Sequence, residues 1–203
     1  YTPGTTSGSS FTLKNTVRVR GGFYGLPGSE GDPNARDINP QTNGTILSGN
    51  LQGGVHSNTV VVSPFSVTQV STVLDGFTIT GGVGTDGAGL QIANNSNPTL
   101  ANCRFVDNGI IAENEFPGHD TQGGGISFRG SSRAVIEDCV FEDNRAGAGA
   151  AIWLPSFSSE IGRPTIRRCR FIENYAARWG GAIDNRYQSE IIVQDCFFEN
   201  NRA

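Results

Sequence analysis

The sequence predicts an all-β chain wound as a right-handed parallel β-helix, a solenoid of stacked turns, and three observations carry that expectation. The phrase "NCRFVDN" at 102–108 returns as "DCVFEDN" at 138–144, "RCRFIEN" at 168–174 and "DCFFENN" at 195–201. Short alternating apolar runs bounded by Gly, Asn, Pro and Asp recur throughout, as strands do. No run of helical length places apolar residues at i, i+3, i+4 and i+7.

Taken in chain order, residues 1–72 form less regular turns and residues 73–203 regular repeats of one domain, 1–203. The runs "FTLKNTVRVRGGF" and "TVVVSPFSVTQV" supply the early strands, and "TVLDGFTIT" opens the regular part. From there the columns align. Cys103, Cys139, Cys169 and Cys196 are 36, 30 and 27 residues apart, and Phe77 stands in their column 26 residues before Cys103. Three residues earlier lie Leu74, Leu100, Ile136, Ile166 and Val193; two residues later lie Ile79, Phe105, Phe141, Phe171 and Phe198. Five later come Gly82, Asn108, Asn144, Asn174 and Asn201. A second phrase, "GAGLQI", "GGGISF", "GAAIWL" or "GGAIDN", adds an apolar column of Leu90, Ile126, Ile152 and Ile183.

Constant phrases with variable gaps mark a solenoid whose insertions are loops. One turn cannot bury its apolar side alone, so neighbouring turns stack about 4.8 Å apart and place like on like. The Asn column is expected to tolerate left-handed backbone and to pass amide hydrogen bonds along the stack. The Gly-rich phrases suit corners where a Cβ would collide. The cysteine column takes a small apolar side chain, so free thiols are expected there, with disulfide pairing as the rival. Zinc finds no C-x-x-C pair and only two His.

Composition narrows the partners. With 15 Lys+Arg against 19 Asp+Glu the formal charge is -4, which gives no electrostatic reason to bind nucleic acid. No apolar run reaches the length of a membrane span, and "YTPGTTSGSS" lacks the regions of a signal peptide. With no Met among its 203 residues, the chain is read as a mature or excised piece.

Candidate chemistry lies in the insertions. Asn108 and Gly123 are 15 residues apart, against 5 from Asn144 to Gly149 and 6 from Asn174 to Gly180. The loop near 109–122 gathers Glu113, Glu115, His119 and Asp120, the alternative catalytic or ligand-binding set; a second insertion covers 155–163. Residues preceding the cysteine column, Gly76, Asn102, Asp138, Arg168 and Asp195, read as a solvated outward row with local ion pairs. No column of carboxylates spanning neighbouring turns is expected. "DPNARD" offers oxygens at Asp32, Asn34 and Asp37, as a calcium loop would, but lacks the Gly and distal Glu of an EF-hand. Trp153 is expected to point outward from its strand, as a sugar platform or under a loop, and Trp179 to sit in a corner. Asn43 and Asn94 open N-glycosylation sequons. The glycines of "GGVGTDGAG" precede no helix that could hold a phosphate.

The segments "SFTLKNTVRVRGGFYG", "RDINPQTNGTILSGNL" and "TVLDGFTITGG", followed by Cys-x-Phe-x-x-Asn and Gly-Gly-Ala-Ile repeats, resemble bacterial right-handed β-helix surface proteins related to polymorphic outer-membrane proteins. The resemblance covers nearly the whole chain. It implies a secreted or surface-attached protein without chemistry of its own, and a turn rather than a calcium site at 32–37. The expected function is therefore an extracellular structural or adhesive β-helix, a cell-surface rod or a filament subunit stacked end to end. Its partners would be a second copy or a glycan or protein at the surface. The alternative is a polysaccharide lyase or hydrolase, or a carbohydrate-binding β-helix, with calcium as the one cofactor to consider.

Overall fold

The structure, a computed structural model, describes residues 1–23, 36–42, 44–67, 69–109, 121–155, 162–186 and 190–203. Three-residue strands separated by sharp corners are too short to form hairpins, and each pairs instead with its equivalent one turn away. Ile126–Arg129, Val135–Glu137 and Val140–Glu142 make up one such turn. Among the described residues, repetition of this unit builds three six-stranded parallel sheets. The first runs from Phe11–Thr12 to Ile183–Asn185, the second from Arg18–Arg20 to Ile192–Gln194 and the third from Ile46–Ser48 to Phe197–Glu199. The architecture is a parallel β-helix.

Register is residue for residue. Ile126 faces Leu90 and Ile152, Ile136 faces Leu100 and Ile166, and Phe141 faces Phe105 and Phe171. The rings of Phe105, Phe141, Phe171 and Phe198 stack at centroid spacings of 4.8 to 5.0 Å and within 7° of parallel. Each such pair adds about 0.5–1.5 kcal/mol beyond burial. Gly149 and Gly180 show why the second phrase opens on glycine: φ is near +60° at both, and a Cβ would lie 2.4 or 2.5 Å from the carbonyl oxygen three residues on.

The Asn column carries a hydrogen-bond ladder with a direction. Asn108 Nδ2 donates to Asn144 Oδ1 at 3.1 Å, Asn144 Nδ2 to Asn174 Oδ1 at 3.0 Å, and Asn174 Nδ2 to Asn201 Oδ1 at 2.8 Å. Each amide also donates to the carbonyl of Ile79, Phe105, Phe141 or Phe171 in the preceding turn. The left-handed residues, however, are not these asparagines. They are the residues just before them, Gly81, Asp107, Asp143, Glu173 and Asn200, and the row before the cysteines, Gly76, Asn102, Asp138, Arg168 and Asp195. Each turn thus has left-handed corners on either side of its third-sheet strand. The Asn amides are buried just inside one of them.

The cysteines likewise do more than fill space. All four are free, and each Sγ donates to the carbonyl two residues earlier, from Cys103 to Ala101 at 3.2 Å through Cys196 to Gln194 at 3.2 Å. That contact spans the left-handed residue between them and ties the corner together. Tyr1 closes the other end of the third sheet: its N–H donates to Ile46 O and its carbonyl accepts from Ser48, both at 2.8 Å.

Candidate functional site

Residues 110–120 fall outside the described residues, so Glu113, Glu115, His119 and Asp120 do too, as do Asp32, Asn34 and most of the second insertion. Asp37 is described. Its carboxylate accepts the Asn39 N–H at 2.9 Å and the Thr42 hydroxyl at 2.6 Å, which is how an Asp organises a turn. The row before the cysteines carries ion pairs: Arg168 donates to Asp138 at 2.7 and 2.8 Å and to Glu137 at 3.2 Å, and Arg167 also reaches Glu137.

Trp153 takes the packed one of its two expected fates. It lies in register with Ser127 and Asp184 on the outer face of the first sheet, yet is only 4% exposed. Polar groups are gathered on the same face. Asp86 accepts from the Ser127 hydroxyl and pairs with Arg129, while Asp184 pairs with Arg186 at 2.8 Å. Arg186 in turn lies 4.4 Å from the centroid of Trp179, which is 49% exposed.

A feature with more chemical potential is the left-handed row Asp107, Asp143 and Glu173, which overturns the expectation that no carboxylate column spans neighbouring turns. The three occupy equivalent corners of successive turns, spaced by the strand repeat of about 4.8 Å. Arg145, Tyr175 and Arg202 form a parallel row on the far side of the buried asparagines. Between the rows runs a groove of about 420 Å³ lined by Asp143, Arg145, Glu173, Tyr175, Asn200 and Arg202. Partial burial raises the pKa of Asp143, and the charges of Asp107, Glu173 and Glu142 push it further the same way, against the opposing pull of Arg145. A carboxyl held toward its neutral form beside a second carboxylate is the raw material of acid–base chemistry. The signal for this row is present in the sequence one position before the Asn column.

Among the described residues no group of three or more His, Cys, Asp or Glu converges as metal ligands, and no helix is long and apolar enough to cross a membrane. Residues 38–203 match the family described as "Right handed beta helix region". Comparison with curated proteins and with solved structures finds no match.

Proposed function

The chain belongs to the right-handed β-helix family, and from that premise we propose that it is an extracellular structural or adhesive rod, stiffened by its ladders and given specificity by its loops. The observation that carries this reading is the unbroken run of Asn amides and Phe rings along the axis, from Asn108 to Asn201 and from Phe105 to Phe198. Among the described residues no buried side-chain nitrogen or oxygen is left without a partner. Such an interior resists bending and local opening, which serves a spacer or filament better than a mobile catalytic site.

Two forms of the rod differ in how they assemble. Phe197 and Phe198 are about half exposed and form an apolar edge that a further turn, of this chain or of a second copy, would cover. Stacking copies end to end would bring Phe197–Glu199 onto the third-sheet edge that Tyr1 already occupies, so filament growth requires Tyr1 to leave it. Electron microscopy of native material, with intact mass on the same sample, tests the proposal. Long filaments built from subunits of this chain's mass support assembly through the ends. Single stiff rods support a surface spacer, and flexible or globular particles would overturn both.

A second reading, action on or binding to a carbohydrate, is favoured by the groove that Asp143 and Glu173 line. Turnover on a polysaccharide panel that disappears in Asp143→Asn and Glu173→Gln, with folding intact, would replace the structural reading. Loss in His119→Ala with Asp120→Ala instead would move the site to the loop.

A further inference from the structure

The groove beside the buried asparagines has walls set by the backbone. On the acid side the Asp107 N–H donates to Glu142 O at 3.3 Å and the Asp143 N–H to Ile172 O at 3.2 Å. On the other side the Arg145 N–H donates to Asn108 O at 2.9 Å and the Tyr175 N–H to Asn144 O at 3.0 Å. The two sets run to opposite neighbouring turns, so each corner is held from both directions, and Arg145 lies in register with Tyr175. Asn144 and Asn174, fully buried and hydrogen-bonded to each other, form the floor. Walls fixed in this way are preformed for a ligand.

Their charges are also left open. Elsewhere acids beside arginines pair with them, as Asp86 does with Arg129, Glu142 with Arg104 and Asp138 with Arg168. Among the described residues Asp107, Asp143, Glu173 and Arg145 enter no such pair. Yet Arg145 is near enough to Asp143 to oppose the rise in pKa that burial and the neighbouring acids cause. The groove of about 420 Å³ thus offers an anionic wall, a cationic group and the half-buried ring of Tyr175. Asp143, Arg145, Glu173 and Tyr175 all stand in turns with a described turn on either side.

Equivalent positions recur along the groove at about 4.8 Å. An extended peptide advances about 3.3 Å per residue and falls out of step, whereas one ring of an extended glycan spans about one turn. A neutral or purely anionic glycan leaves the acid wall unmatched, and a purely cationic one meets Arg145. We propose that the groove binds a zwitterionic glycan, with an ammonium group between Asp143 and Glu173, an acidic group on Arg145 and a sugar ring on Tyr175. This rests on the carbohydrate reading above and names its ligand.

Calorimetric titration of the intact chain at low ionic strength tests it, with a hexasaccharide of alternating glucuronate and glucosamine as the probe. The same sugar after N-acetylation and neutral cellohexaose are the comparisons. The zwitterionic sugar should bind tightest, and added salt should weaken it. Asp143→Asn and Glu173→Gln should each weaken it about threefold to fivefold, the size of one exposed ion pair, but should not weaken the N-acetylated form. Arg145→Gln should weaken both. Unchanged circular dichroism shows that the variants are folded. Equal binding of cellohexaose keeps the carbohydrate reading and overturns this inference, and no binding of any sugar overturns both. Tighter binding of a peptide of alternating lysine and glutamate assigns the groove to peptide and overturns the inference as well.

Discussion

Asn144 shows what a buried amide must do in a stack: it donates to Phe105 O and Asn174 Oδ1 and accepts from both nitrogens of Asn108. Replacing it by Asp keeps the shape and the acceptors but sets a carboxylate against two acceptors. The cost at neutral pH should be at least about 3 kcal/mol, since a buried charge and an orphaned acceptor add. The new carboxyl would hold its proton more tightly folded than unfolded, so stability should recover as pH falls and be lost as pH rises through the raised pKa. Denaturant unfolding of Asn144→Asp at pH 4 and pH 8 checks this; equal losses at both would refute the ladder's energetic role. Asp143 has the same sign in milder form. Its raised pKa means that its contribution to stability is greatest in acid and fades as pH rises past it. Asp143→Asn should therefore melt higher than wild type at pH 8, with the gap closing near pH 4. The Asn column was legible as a ladder because a constant offset of five residues from each cysteine puts like residues in register. Its left-handed neighbours Asp107, Asp143 and Glu173 were not, because Asp and Glu announce positive φ less plainly than glycine does.

Corners, rather than strands, are where sequence pattern and structure part company. The strands follow from alternation and spacing, which is why the apolar columns of Ile136 and Phe141 could be written down in advance. Corner residues answer to backbone geometry instead, and the short strand between two left-handed residues sets which side chains share a surface. The acid row therefore lay hidden in plain repetition, while Trp153, outward by alternation, is buried. Glu173 illustrates the energetics: it holds φ near +53° beside Asp143. An ordinary residue in left-handed geometry costs about 1–2 kcal/mol, which Asn partly avoids, whereas exposed charges contribute within about 1 kcal/mol. Glu173→Asn should thus stabilise by about 1 kcal/mol, read as a higher denaturation midpoint at unchanged slope. Gly149→Ala is the converse. With φ near +58° and a Cβ forced to 2.4 Å from Ile152 O, it should cost about 2 kcal/mol or more, and a neutral outcome would show that this corner can shift.

At the scale of the whole molecule, a solenoid contacts only its nearest turns, so stability should be a sum of repeats and interfaces rather than the property of one closed core. This makes a deletion the sharpest test of the architecture. Cys139 and Cys169 are equivalent, so removing residues 140–169 takes out one full turn and joins Cys139 to Arg170. The columns then close across the gap: Phe171 falls on Phe105, Asn174 on Asn108, Ile183 on Ile126 and Val193 on Ile136, each replacing a partner of the same kind. The shortened chain should fold with the same β-type circular dichroism and unfold cooperatively, with a denaturant slope reduced by about the share of surface that one turn buries. A deletion of half that length, residues 140–154, would set the third sheet of one turn against the second of another and should not fold. If both deletions fold, or neither does, the registered columns are not what specifies the structure; if only the first does, the repeat is the unit of both stability and reach.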